Sequence, residues 1–570
     1  VAACHRVLRS SIRERIALQA CLCLSRLLYA LSTLRYGWHA SRVASSVRLL
    51  CHLFESTGCQ YSVCPPTIYT MLTYFHAPPR RCLGSTRCGS MGHHAPLAAL
   101  LAAAIFLVTS PIAQCADIPL PGLHWFAPVL SGGGYCSEAN ALLHGLKSLP
   151  PGEAPPLRIT HHGDAVDYLF YRGLPQDYAR ELNAMLMARR PKARDSVIVC
   201  HSEPGAWSPA KYETARCPPE GYGRDNAVRV IGRTMFETDR LNPEHVARCN
   251  EMDEVWVPTR WSAGVFQKCG VDPAKIRVVP EAVDVERFDP VKFRGRELAL
   301  EDVGERVVGP RLVVRTGGHD ETKRAPTRTT KFLSVFKWEA RKAPEVLLDA
   351  YFTEFTAADD VALFLRCNLY HEEDERAIVK RVVAAARDAF RAGTDWGAPD
   401  GTRVAEAVSS HAPRVFVLPP IEDGDMPAMY AGADALVLPS RGEGWGRPHV
   451  EAMAMGLALV ATNWSGPTEF MTERNSYPVA VDPALVPLPP DSYFANHMWS
   501  QPSVGHLRSR MREVVSDPAG AVARGEAARR DMVTRFSPVA VARVVVRELG
   551  RIAREDAGDG RDGESVRDEL

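Results

Sequence analysis

The stretch from Pro439 to Met453 constrains the fold more than any other part of the chain. It reads Pro-Ser-Arg-Gly-Glu-Gly-Trp-Gly-Arg-Pro-His-Val-Glu-Ala-Met and follows directly on the apolar run Ala435 to Pro439. A buried strand that enters a glycine turn, with Pro448 suited to the first turn of a helix, is one unit of a parallel α/β sheet. The glycines let backbone approach a ligand closely, and amides near Gly446 can face an anion at the positive end of the helix. Glu443 lies in the turn and Glu451 about one helical turn beyond it, so both carboxylates can accept hydrogen bonds from one hydroxyl-rich ligand.

The same alternation extends in both directions. Apolar runs at Leu123 to Leu130, Leu157 to Thr160, Ser196 to Cys200, Ala227 to Ile231, Glu254 to Pro258 and Ile276 to Pro280 predict one series of parallel strands. Runs at Lys331 to Phe336, Val361 to Arg366, Arg414 to Leu418, Ala435 to Pro439 and Leu457 to Thr462 predict a second. The text between is helical or, over 291–328, rich in Arg, Gly and Thr. At 570 residues, 46% of them apolar, the chain has material for two cores plus appended segments. The expected fold class is therefore α/β, with two doubly wound Rossmann-like domains, 116–290 and 329–481, joined through 291–328. A loop and C-terminal helices over 482–555, read as two amphipathic stretches at Val504 to Ser516 and Ser537 to Ala553, are expected to pack on these domains, ahead of a polar tail at 556–570. Ligands of such sheets bind beyond the carboxyl ends of the strands, and the cleft between the domains is the expected site.

Charge and the ends of the chain address location rather than chemistry. The 68 basic and 67 acidic residues nearly cancel, so no global field draws the chain to nucleic acid, and no nucleic-acid partner is expected. Eight of the 15 cysteines lie at or before Cys88, in residues 1–90, which show no strand–helix alternation. That segment is read as an upstream extension, disordered or foreign to the natural product, with a Cys-rich leader as the other reading. Residues 91–115 have a signal-peptide shape, an apolar run Leu97 to Val108 before Ala113-Gln114-Cys115, too short to span a membrane. Arg567-Asp568-Glu569-Leu570 resembles a retrieval signal of the endoplasmic reticulum lumen. Lumenal residence is expected, with the cytoplasm as the alternative, and no transmembrane span in the mature chain. An oxidising lumen would permit disulfides among Cys136, Cys200, Cys217, Cys249 and Cys269.

Glu443 and Glu451, with seven residues between, resemble the Glu-x7-Glu motif of the retaining GT-B glycosyltransferases of family 4. Met429 to Ser440 and Gly466-Pro-Thr-Glu-Phe470 support the likeness, which covers roughly residues 120–550 and is densest over 331–481. The resemblance implies two facing Rossmann-like domains and a retaining, metal-independent transferase of the hexosyl or related class. Its donor would be a nucleotide sugar, its acceptor a glycan or glycoconjugate, and its cofactor complement empty. It implies that Glu443 contacts the transferred sugar and Glu451 the ribose, with Gly444, Trp445 and Gly446 around the donor. It aligns Lys337 and Lys342 with the cations that hold the donor diphosphate, although Phe336 and Ala343 stand where the family carries glycine and Arg341 adjoins the second position. Gly133 and Gly134, in the glycine loop after the first strand, resemble the loop near the diphosphate and acceptor. His201 resembles a histidine that approaches the sugar. Catalytic roles are thus expected for Glu443, Lys337 and His201.

Other features are set aside. Asp423-Gly424-Asp425 has the metal motif of the GT-A fold but lies before a helix where a polar loop is usual, and His161-His162-Gly163-Asp164 lacks a third cluster, so no metal is expected. Asn463-Trp464-Ser465 is formally a glycosylation acceptor, and its place beside a core strand predicts that it is buried. The rival reading of the whole chain is a catalytically silent nucleotide-sugar or carbohydrate-binding protein of the same fold.

Overall fold

A computed structural model describes residues 119–223, 226–310, 328–368 and 376–558. The expected upstream extension, signal peptide and retrieval-like terminus lie outside the described residues. The first series runs β1 (Gly122–Ala127), α1 (Gly134–Lys147), β2 (Leu157–His161), α2 (Tyr168–Gly173), α3 (Gln176–Met187), β3 (Ser196–His201), β4 (Arg229–Arg233), α4 (Pro243–Glu251), β5 (Glu254–Val257), α5 (Arg260–Lys268) and β6 (Ile276–Val278). These strands form a parallel sheet in the order β2-β1-β3-β4-β5-β6. The chain leaves β1 to one side for β2 and returns to its other side for β3, so the crevice of this sheet opens between β1 and β3.

The second series runs α6 (Leu300–Val303), β7 (Glu305–Val308), β8 (Thr330–Lys337), α7 (Pro344–Glu354), β9 (Val361–Asn368), α8 (Arg376–Arg391), α9 (Val404–Ser410), β10 (Arg414–Val417), α10 (Met426–Ala431), β11 (Ala435–Leu438), α11 (Arg447–Ala454), β12 (Ala458–Thr462) and β13 (Tyr477–Val479). Its order is β13-β12-β11-β8-β9-β10-β7, parallel except for β7, and its crevice opens between β8 and β11. Each sheet buries apolar residues on both faces, which is why most of its strands read as unbroken apolar runs.

Two parts depart from the sequence reading. Residues 300–308, read as connection, are α6 and β7, and β7 pairs antiparallel with β10 at the edge of the second sheet. After the hairpin β14 (Val486–Pro487) and β15 (Met498–Trp499) come three helices rather than two: α12 (Val504–Ser516), α13 (Pro518–Arg535) and α14 (Pro538–Asp556). The middle helix α13 lies against the second domain through Ala521, Ala528 and Met532, residues too small or too sparse to make an apolar stripe. From there α14 returns to the first domain, placing Val541, Val545 and Leu549 in one core with Leu142, Leu143 and Leu146 of α1. A Cβ at Gly145 would collide with the Pro538 carbonyl, so that crossing is as close as backbone allows. Further contacts tie the domains: the Arg260 backbone N–H and guanidinium both donate to Glu469, at 2.8 and 3.1 Å, and Trp261 meets Trp464 edge-on with ring centres 4.9 Å apart. Among the described residues no helix is long and apolar enough to cross a membrane.

Candidate active site

At the crevice of the second sheet, β8 ends on the exposed Lys337, and the chain turns through Glu339, Arg341 and Lys342 into α7. Ala343 makes that turn with φ +50° and ψ +51°, in the left-handed region that glycine occupies freely and alanine at roughly 1 kcal/mol. The departure from the family's glycine is therefore tolerated at a cost, and Pro344 starts the helix immediately after it. From the neighbouring strand β11 the Ser440 to Gly446 turn brings in Glu443. Gly446 caps α11 with φ +111°, and Pro448 occupies the first turn, as the sequence predicts.

Glu443 is buried between two cations. Lys342 Nζ donates to its Oε1 at 2.5 Å and Arg341 Nη1 to its Oε2 at 2.8 Å, while the Glu443 backbone N–H donates to Ser465 Oγ at 2.9 Å. Burial alone would raise this carboxyl, but Lys342 and Arg341 overcome it and hold Glu443 well below the usual carboxylate range. Burial, then the Arg341 charge, pulls the Lys342 ammonium down. A cleft of about 570 Å³ opens over these groups, lined by Lys337, Arg341, Lys342, Arg366 and Asn368 at the ends of β8 and β9 and by Asp423 and Pro448 opposite. Every residue lining it belongs to the second domain. Such a cleft carries positive charge at the floor of a switch point, the setting in which a parallel sheet receives an anion.

Glu451 lies on α11, where its carboxylate accepts the Tyr430 hydroxyl at 3.0 Å; burial raises its pKa. His449, in the first turn of the same helix and unnoticed in the sequence, is buried, with its Nδ1 unpartnered; burial holds it down to about 4. The Trp445 ring is buried against Phe470 and Phe536, at 5.1 and 5.5 Å, so that side chain is part of the core beneath the turn. Gly444 faces Met235 of the first domain, and a side chain there would collide with it. Asn463 is a correction: it is exposed at the end of β12, although Ser465, two residues on, is buried.

In the first domain, Gly133 and Gly134 follow β1 at the sheet's crevice, and a Cβ at Gly134 would meet nothing. There is thus open space beside the start of α1, where a helix leaves backbone N–H groups without intrahelical partners. His201 ends the neighbouring strand β3, with its ring enclosed by protein groups. Its Nδ1 accepts the Trp125 indole N–H at 3.1 Å, its Nε2 lies 3.0 Å from Glu138 Oε2, and its side chain is 0% exposed. Glu138 in turn accepts Arg233 Nε at 2.6 Å, and Arg233 donates to the Val279 carbonyl at 2.9 Å. Burial lowers the His201 pKa, against the neighbouring Glu138 carboxylate, which raises it. The residues set aside for metal are locally engaged: His162 bonds the Ala215 carbonyl and Ser202, His161 the Asp164 carbonyl, and Asp423 pairs with Arg287 at 2.9 Å. Among the described residues no group of three His, Cys, Asp or Glu could hold a metal ion. Cys200 and Cys217 form a disulfide, and Cys136, Cys249 and Cys269 are free.

Residues 376–492 match the family described as Glycosyl transferases group 1, a segment that contains Glu443, Glu451 and the turn between β11 and α11. D-inositol 3-phosphate glycosyltransferase of Geodermatophilus obscurus is 29% identical over 241 residues, 42% of this chain and 42% of that protein. The Mycobacterium bovis protein of the same name is 28% identical over 257 residues, 43% of this chain and 39% of its own length. The chain thus spans about two fifths of the curated relatives it matches. Among solved structures, Anabaena Alr3699/HepE in complex with UDP and glucose matches at TM-score 0.46 and 12% identity, over 76% of this chain and 100% of that one. Sucrose-phosphate synthase from Thermosynechococcus elongatus matches at 0.46 and 13%, over 77% and 100%. Residues 376–492 are thus similar to the group 1 glycosyl transferases, and that segment sits in the second of two α/β domains built on largely parallel sheets.

Proposed function

We propose that this protein transfers a sugar, with retention of anomeric configuration and without a metal, from a nucleotide sugar to a glycan or glycoconjugate acceptor. The observation that carries the reading is Glu443 held between Lys342 and Arg341, two cations that line a cleft together with Lys337 and Arg366. Departure of a nucleoside diphosphate needs preorganised positive charge, and Lys342, Lys337 and the amides at the start of α11 supply it. Glu451, held by Tyr430, binds the ribose, while Glu443 binds hydroxyls of the sugar. In the transfer the bond from the anomeric carbon to the diphosphate oxygen breaks as the bond to the acceptor oxygen forms on the same face. The acceptor proton passes to the departing phosphate. Gly133 and Gly134 border the acceptor side, and His201 acts from behind it as a positioning residue.

Lumenal residence is part of the proposal, and the Cys200–Cys217 disulfide supports an oxidising compartment. The test is release of nucleoside diphosphate by the full chain from a panel of nucleotide sugars in EDTA, with the product's anomeric configuration read by NMR. Glu443→Gln is expected to lower turnover about 100- to 1,000-fold, the scale of losing one preorganised polar group at a reacting centre. An inverted product would refute retention. Donor binding without release, with acceptors present, would leave a binding protein.

A further inference from the structure

The carboxylate of Glu443 has two cationic partners, and they are held in different ways. Arg341 is anchored at several points: Nη1 donates to the Gly442 carbonyl at 3.0 Å as well as to Glu443 Oε2 at 2.8 Å, and Nη2 donates to Glu339 Oε1 at 2.9 Å. Its own carbonyl accepts the Arg441 N–H at 2.7 Å, which locks the β8–α7 turn to the β11–α11 turn. Lys342 is a single ammonium on a flexible stem, tied through Glu443 Oε1. The formal charges of Arg341, Lys342, Glu339 and Glu443 cancel, so at rest these four add nothing to the attraction that Lys337 and Arg366, which line the same cleft, offer an incoming diphosphate. Lys342 adds its charge only by changing partners.

We propose that Arg341 is a positioning residue that keeps Glu443 in place when Lys342 leaves it for the donor diphosphate. The proposal rests on the donor-site reading above and divides the two adjacent cations by task. A planar guanidinium spread over three fixed acceptors loses more by moving than an ammonium does. Lys342 therefore exchanges its partner, while Arg341 stays and prevents the Glu443 carboxylate from swinging toward the arriving phosphate. Glu443 is then free on its Oε1 side to meet the sugar, and Arg341 touches neither phosphate nor sugar.

A double-mutant cycle tests this, with calorimetric binding of UDP, GDP and ADP and turnover on the active nucleotide sugar. Arg341→Gln is expected to lower kcat about 10- to 100-fold in the wild-type background. In the Glu443→Gln background it is expected to change neither kcat nor nucleoside diphosphate affinity by more than about twofold, because Arg341 acts through Glu443. Lys342→Gln is expected to weaken diphosphate binding at least tenfold in both backgrounds. A tenfold loss of diphosphate affinity from Arg341→Gln in the Glu443→Gln background would make Arg341 a phosphate ligand and overturn the proposal. Arg341→Lys carries the same cycle if Arg341→Gln fails to fold, since it keeps the charge and loses the fork; thermal melting of each variant identifies that case. Failure of the wild-type chain to bind any of the three diphosphates would overturn the donor-site reading itself, and that result needs no variant to recognise.

Discussion

Each sheet has a buried carboxylate clamped by two basic side chains at the carboxyl ends of its strands, and the two clusters differ in what can reach them. Around Glu138, the side chains of Arg233 and His201 are 1% and 0% exposed, and their partners are protein groups. Around Glu443, Arg341 retains 24% and Lys342 10%, and both line the cleft. In each case burial works to raise the carboxyl and its basic neighbours overcome it, Arg233 foremost at Glu138 and Lys342 with Arg341 at Glu443, so both acids lie below their ordinary range. A displaced pKa therefore does not distinguish a working site from a structural one. Access does: one cluster is closed around the first domain's core, and the other can exchange a partner for a ligand.

The largest expected effect lies in the sealed cluster. Glu138→Ala leaves the Arg233 guanidinium buried without its carboxylate, which costs about 3–5 kcal/mol of stability. The melting temperature is expected to fall on the order of 10 °C. Glu443→Gln, which empties the corresponding position in the open cluster, is expected to remove turnover with a much smaller melting shift. Calorimetric scans of both variants decide the matter. If Glu138→Ala melted like wild type and lost only diphosphate release, the sealed cluster would be part of the chemistry and the contrast would fail.

Acidification sharpens the comparison by separating histidines from carboxylates. His449 beside the open cluster and His162 near the sealed one are each held down to about 4, chiefly by burial. A base lowered on folding gives stability that is whole above its ordinary 6.5 and is lost as pH falls toward 4, because the unfolded chain takes up the proton first. Each contributes on the order of 3 kcal/mol across that window. Glu138, held at about 2 by Arg233 and His201 against burial, gives stability that is present above 4.5 and lost as pH falls toward 2. Urea unfolding between pH 7 and 4 is thus expected to show the histidine loss first, and His449→Gln is expected to flatten part of that slope. A stability constant from pH 7 to 4 would contradict the neutral, buried state of these histidines.

How legible these two regions were follows from how far apart in the chain their members lie. Glu443, Gly446 and Glu451 occupy one turn and one helix, so their spacing along the sequence is their spacing in the site. Glu138 and Arg233 are 95 positions apart and meet because α1 and β4 pack on one sheet, which no local pattern encodes. The central strands were legible because burial on both faces leaves an apolar run, whereas β7 is a partly exposed edge strand reading Glu-Arg-Val-Val within Arg- and Gly-rich text. Helix α13 escaped notice because Ala and Gly form its buried face: a Cβ at Gly525 would collide with the Gly456 carbonyl, and the close approach that buries the helix also removes its apolar signature. Trp445 shows the reverse: it stands among glycines in a ligand-type turn, yet its ring is core, buried against Phe470 and Phe536.

The smallest expected effect concerns Ala343, which presents Lys342 from a left-handed turn. Ala343→Gly relieves roughly 1 kcal/mol of backbone strain. It also removes a fully buried methyl, worth about 0.8 kcal/mol, and adds about 0.4–1 kcal/mol of unfolded-state entropy. The sum is close to zero, so the melting temperature is expected to stay within a few degrees of wild type. Diphosphate affinity, measured on the same sample, reads something else. If Lys342 must leave Glu443 to do its work, a turn made more pliable by glycine leaves affinity within about threefold, since the ammonium's reach and not the fixity of its backbone governs the exchange. A tenfold loss with unchanged melting would show that the alanine holds the turn rigid for binding. In that case the open cluster, like the sealed one, would depend on its fixed geometry, and access alone would not separate the two.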